Sequence, residues 1–183
     1  LAARELEELG ATEVNPVYRG LFFSAEPATL YGIVYRARLV SRVLAPLLSF
    51  DCHSPKYLHK TAASIEWPDF MGLETTFAVS AGVSESAISH SQYAALCLKD
   101  AIVDSFRERT GQRPNVDARN PDIQFHLHIH KNVATIHLDL GGGSLHRRGY
   151  RIDTVEAPMQ EILAAAIISL SEWDGERQLY DPM

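Results

Sequence analysis

The stretch "QFHLHIHKNVATIHLDL", Gln124 to Leu140, places four histidines within seventeen residues, three of them on alternate positions. Alternate residues of a strand point to one face, and imidazole is a ligand for zinc, copper or nickel. A two-residue turn at Lys131-Asn132 lays His130 opposite Val133, His128 opposite Thr135, His126 opposite His137 and Gln124 opposite Asp139, since Asn tolerates the left-handed backbone of a tight hairpin. Same-face side chains along one strand stand about 7 Å apart. One strand therefore grips a metal loosely, and His126 with His137 is the better pair. The competing reading is a polar sheet face, or the wall of an RNA groove whose imidazoles donate to phosphate or stack on bases. We assign no metal ligand. A small metal-binding enzyme using His126, His128, His130 and His137 is kept as an alternative.

Other candidate chemistry is weaker. Gly141-Gly142-Gly143-Ser144 lacks the lysine of a phosphate-binding P-loop, and no helix follows directly, so it reads as a strand exit or hinge. No nucleophile-elbow spelling supports Ser/His/Asp catalysis. Cys97 reads as packing within a helix. His146-Arg147-Arg148-Gly149-Tyr150-Arg151 offers bidentate phosphate donors and a stacking ring. It reads equally as a solvated linker whose arginines pair with the acidic tail.

The elements that must carry these residues follow from periodicity and punctuation. Arg4–Leu9 reads as a helix stopped by Gly10, then short strands at 14–19 and 21–25. A second helix opens at Glu26-Pro27 with a stripe of Leu30, Val34 and Ala37, and residues 42–50 read as a strand. A short helix is expected over 56–64, a turn at Trp67-Pro68-Asp69 and a strand over 75–83. Ser89 with Gln92 spells a capping box for a helix to Arg109, stopped by Gly111, with a stripe of Ala95, Leu98, Ile102 and Phe106. The quoted hairpin alternates cleanly, with Phe125, Leu127, Ile129, Ala134, Ile136, Leu138 and Leu140 on its apolar face. A last helix is expected over 154–171.

Composition narrows the classes. The 183 residues are 46% hydrophobic and 22% charged, with net charge −6, an ordinary globular balance. No apolar run approaches membrane-spanning length. Two separated cysteines and no signal peptide point to a reducing, cytoplasmic setting. The charge is uneven. Residues 99–151 hold nine Lys/Arg against six Asp/Glu, whereas 152–183 hold one against seven. A locally basic middle permits a phosphate-binding surface within an anionic chain.

Three segments carry a resemblance: "SHSQYAALCLKDAIVDSFRERTGQRPNVD", "HLHIHKNVATIHLDLGGGSLHRRGYR" and "APMQEILAAAIISLSEWDG…LYDP". Through them nearly the whole chain resembles the N-terminal part of bacterial THUMP-domain RNA methyltransferases. The group in question methylates guanine N2 in large-subunit ribosomal RNA and is often labelled as N6-adenine-specific DNA methylases. The resemblance implies an α+β fold: a ferredoxin-like module over 1–52, lacking its first strand, an α/β THUMP domain over 53–152, and a linker helix over 153–183 entering a truncated Rossmann-like methyltransferase domain. It implies structured RNA, ribosomal RNA in particular, and a methyltransferase domain in cis as partners. It also implies S-adenosylmethionine as the cofactor of the full-length protein, with none held by this fragment. By position it implies RNA contacts at His90, Ser91, Lys99, Arg113, Lys131, His146, Arg147, Arg148 and Arg151, and an edge of the cofactor site at Asp181. The chain stops before the Gly-rich cofactor loop and the Asn-Pro-Pro-Tyr-type motif, so the fragment is expected to bind RNA without methylating it. A scaffold that only docks the catalytic domain is the other alternative.

Overall fold

The computed structural model describes residues 1–18, 20–146, 148, 153 and 156–180. The fold is mixed α+β, in two compact units: Leu1–Val43 with Ser144–Met183, and Leu44–Gly143.

In the first unit, α1 (Ala2–Glu8) leads into an antiparallel hairpin of β1 (Thr12–Val17) and β2 (Gly20–Ser24), followed by α2 (Pro27–Arg36). Pro27 opens α2 where a missing N–H is no loss. Leu6, Ile33 and Ala37 are buried at its core. Ile33 was absent from the expected stripe and is its fully buried centre. The Glu5 carboxylate accepts the backbone N–H groups of Arg38 (2.8 Å) and Leu39 (2.9 Å), which fixes the chain leaving α2. Helix α5 (Glu161–Leu170) has Gln160 as its N-cap and Pro158 ahead of it; residues 156–160 of the expected helix are not helical, and 154 and 155 lie outside the described residues. Proline restrains the residue before it to extended backbone, so the helix starts only beyond it. None of α5's residues is buried.

The second unit is a four-stranded sheet in the order β3 (Leu44–Asp51), β6 (Val133–Asp139), β5 (Ile123–His130), β4 (Phe77–Ser84). β3–β6 and β6–β5 are antiparallel; β5–β4 is parallel, joined through α4 (Ser91–Thr110). The strand expected over 42–50 forms as β3 and pairs along β6, from Leu44↔Asp139 to Asp51↔Val133. Its Pro46 is tolerated because β3 is an edge strand with a bulge beside that residue.

Helices α3 (Pro55–Ala63) and α4 cover one face of the sheet. Trp67, in a single 3-10 turn, is fully buried; its ring meets Phe125 edge-on at 5.1 Å and its Nε1–H donates to the Ala62 carbonyl at 2.9 Å. Phe77, Leu98, Ile102, Leu127, Ile129 and Ile136 complete the packing. On α4 the first buried position is Ala94, not the expected Ala95. Gly111 ends the helix in left-handed conformation, φ 72°, the geometry in which a side chain is disfavoured. The expected capping box does not form. His90 is the N-cap and makes no side-chain capping bond. The buried Ile88 and the tie from Ala87 N–H to Asn132 hold the preceding loop, and the chain turns helical only at Ser91.

Candidate nucleic-acid interface

The β5–β6 hairpin has the register its sequence specifies: His130↔Val133, His128↔Thr135, His126↔His137 and Gln124↔Asp139. Lys131 and Asn132 form the turn with φ of 49° and 61°. Phe125, Leu127, Ile129, Ala134 and Ile136 are buried under α3 and α4, so the histidines occupy the opposite face. Each is engaged by a neighbour. Ser80 Oγ lies 2.8 Å from His126 Nδ1, and Ser84 Oγ lies 3.0 Å from His130 Nδ1. His137 Nδ1–H donates to the His126 carbonyl at 3.3 Å. The His126 and His137 rings stand 6.4 Å apart, and so do those of His128 and His130. Burial pushes the His137 imidazole below its ordinary pKa, and the nearby His128 adds to that; the His126 carbonyl opposes it.

These distances weigh against the metal alternative. Among the described residues no three His, Cys, Asp or Glu side chains gather in metal-binding geometry. The ladder spreads its donors along two strands, and Nδ1 of His126 and of His130 already faces a serine hydroxyl. What the face offers is imidazole and hydroxyl at regular spacing, suited to phosphate oxygens, sugars and bases.

At one end of this sheet the structure joins residues that the sequence had offered separately. Asn132 is the fastener. Its side-chain Oδ1 accepts from Ala87 N–H (2.8 Å) and Ser86 Oγ (3.1 Å), and its carbonyl accepts from Cys52 N–H (2.6 Å). The turn bearing Lys131, the β4–α4 loop ending at His90-Ser91, and the β3–α3 junction therefore lie together. Exposed Lys131, His130, His90, Ser91, His53 and Lys56 share that end with Asp51 and Glu85. His53 and Lys56 were missed: each is a lone polar residue in sequence, and only the β3–β6 pairing brings them beside the hairpin turn. The 20-residue α4 starts at this end, and His90, its N-cap, makes no side-chain capping bond.

Within the second unit, Arg113 and Lys99 do not join this patch. Arg113 is exposed beyond the far end of α4, a helix roughly 30 Å long for its 20 residues. Lys99 sits mid-helix and pairs with Asp100 at 2.6 Å, whereas Asp104 bonds His59 and Arg107. His146 Nδ1 bonds Ser144 Oγ at 2.6 Å in the first unit. Arg148 serves as a helix cap. Its guanidinium donates to the carbonyls of Tyr35 (2.5 Å), Ala37 (2.6 Å), Leu145 (2.9 Å) and Val34 (3.1 Å), which closes the C-terminal end of α2. Arg147, Arg151 and Asp181 lie outside the described residues. The glycine run after β6 is a strand exit: Asp139, 4% exposed, accepts Gly141 N–H on its carboxylate at 3.1 Å and so ties the start of the run back to β6.

The sequence matches the THUMP domain over residues 52–139 and an RMKL-like methyltransferase domain over 148–183. All of the chain aligns with the "Ribosomal RNA large subunit methyltransferase K/L" of Syntrophotalea carbinolica at 46% identity, over 26% of that protein. All of it also aligns at 39% identity with 48% of a Synechocystis sp. protein provisionally named an RNA methyltransferase. The chain thus spans from a quarter to half the length of these relatives. A solved Listeria monocytogenes structure, described as a predicted N6-adenine-specific DNA methylase, superposes with TM-score 0.82 over 100% of this chain and 48% of that one; at 24% identity it attests the fold.

Proposed function

From a chain that belongs to the THUMP-bearing methyltransferases, we propose that it is the RNA-gripping and substrate-positioning region of an S-adenosylmethionine-dependent RNA methyltransferase. The observation that carries this reading is the clustering of Lys131, His130, His90, Ser91, His53 and Lys56 at one sheet end, within the span matched by the THUMP domain. Lysine neutralises backbone phosphate, imidazole N–H donates to it, and the hydroxyl–imidazole sheet face beside them presents donors to sugar and base edges. Arg147 and Arg151 remain candidate phosphate contacts on the family resemblance alone. The substrate we assign is large-subunit ribosomal RNA, supported by the named activity of the Syntrophotalea relative. Guanine N2 as the methylated amine rests on the family resemblance alone. A cytoplasmic setting goes with that substrate.

The methyl transfer itself we assign to the methyltransferase domain in cis, supported by relatives that extend well beyond the aligned span. The exposed Leu163, Ile167, Ile168 and Leu170 of α5 fit a helix that packs within that domain. S-adenosylmethionine supplies the methyl group there. A ferredoxin-like leading module, with the THUMP domain and linker helix after it, is the layout this reading adopts.

The test is direct binding of the chain to a fragment of large-subunit ribosomal RNA, followed by fluorescence anisotropy across salt concentrations. Wild-type affinity should fall steeply with salt, and Lys131→Ala with Lys56→Ala should flatten the log–log slope by about 1 to 2. No affinity at physiological salt would sink the reading and favour a docking scaffold. Equal slopes for variant and wild type would remove the sheet end from the interface.

A further inference from the structure

A second surface, on the first unit, is absorbed by none of this. Tyr31 and Tyr35 of α2 are 79% and 82% exposed. Four residues apart, they share one helical face with Cβ atoms about 5–6 Å apart. Ile33 and Ala37 point the other way, into the core. The tyrosines therefore stand largely outside the packing, and they hold two flat apolar rings in water on one face of the helix.

Their surroundings are cationic. Arg36 and Arg38 are exposed at the same helix end, and among the described residues neither has a carboxylate partner. Glu5, beside the end of α2, spends both oxygens on the backbone N–H groups of Arg38 and Leu39. Glu26 lies at the opposite end, as the N-cap. The Arg148 guanidinium, bound to the carbonyls of Val34, Tyr35 and Ala37, adds a third positive group. Flat rings flanked by guanidinium groups match a polymer with apolar flat faces and a negative backbone. Paired RNA hides its base faces; unpaired RNA displays them.

We propose that the Tyr31–Tyr35 face of α2 is a stacking platform for unpaired RNA bases, with Arg36 and Arg38 holding the adjoining phosphates. This rests on the reading of the chain as an RNA binder and adds a second site of different specificity. The sheet end contacts backbone of any folded RNA, while the platform selects strands or loops whose bases are free.

The experiment compares fluorescein-labelled oligouridylate and oligoadenylate with a blunt RNA duplex, on the whole 183-residue chain. Tyr31→Ala with Tyr35→Ala should weaken single-strand binding by about tenfold or more per base lost from a ring, and leave duplex binding unchanged. Tyr31→Phe with Tyr35→Phe should retain single-strand affinity, since a phenyl ring stacks without the hydroxyl. Arg36→Ala with Arg38→Ala should flatten the single-strand salt slope by about 1.4. Unchanged single-strand affinity in the alanine variant overturns the platform, as does a phenylalanine variant as weak as alanine. Loss of self-association with intact RNA affinity would reassign the face to a second copy and overturn it too. If the wild-type chain binds neither single strand nor duplex, the RNA reading of the whole chain fails first; if it binds the duplex alone, only the platform fails.

Discussion

Replacing Arg148 by alanine separates its two readings, phosphate contact and helix cap. In the structure all three guanidinium nitrogens donate to carbonyls: Nε to Leu145, Nη1 to Tyr35, and Nη2 to both Val34 and Ala37. A hydrogen bond from a charged donor contributes about 1.5–3 kcal/mol when sheltered. Here the group is exposed, and the freed carbonyls would recover water, so the whole set is worth about 2 kcal/mol, at the upper end for a cation closing a helix C-terminus. Amide hydrogen exchange under native conditions reads this locally. The Ala37 N–H, bonded to the Ile33 carbonyl at 2.9 Å, and its neighbours in α2 should exchange roughly 30-fold faster in the variant. Amides of β5, in the other unit, should not change. Lysine should restore less than half the protection, because an ammonium cannot fork between carbonyls as a guanidinium does. Unaltered exchange in α2 together with reduced RNA affinity would refute the cap and return Arg148 to the nucleic-acid contacts.

Two further outcomes follow from the hairpin. Asn132 combines φ of 61° with two side-chain bonds to the β4–α4 loop, so Asn132→Ala should lower stability by about 2–3 kcal/mol in urea titration, with Asn132→Gly recovering only the backbone share; a wild-type midpoint for the alanine variant would remove its fastening role. For His137, the folded pKa lies below the ordinary 6.5, so in the window between the two the unfolded chain binds more protons and stability rises with pH. Its neutral form is favoured above that window, and the penalty grows as pH falls through 6.5 and is complete below the folded value. His137→Gln should therefore lose less stability than wild type between about pH 7.5 and about pH 5 in denaturant midpoints; parallel curves would contradict the burial argument.

Local rules carried much of this molecule. Strict alternation in Gln124–Leu140 and the Lys131-Asn132 turn set the hairpin register, because a one-residue slip would turn Phe125, Leu127 and Ile129 to water. Gly111 marked the end of α4 for a reason internal to its own backbone. The motifs in the three quoted segments pointed to the family. What stayed hidden depended on partners distant in sequence. Nothing in residues 42–50 says that they pair with β6 across more than eighty residues, and that pairing alone brings His53 and Lys56 beside Lys131. The His90 start of α4 was decided by Asn132, not by the Ser89 spelling. Arg148 looks the same in sequence whether it meets phosphate or carbonyl oxygen; both are acceptors, and only the folded chain shows that the end of α2 reaches it first. Backbone periodicity is a property of neighbouring residues and can be read along a chain, but which acceptor a long cationic side chain finds is settled by contacts over a hundred residues apart.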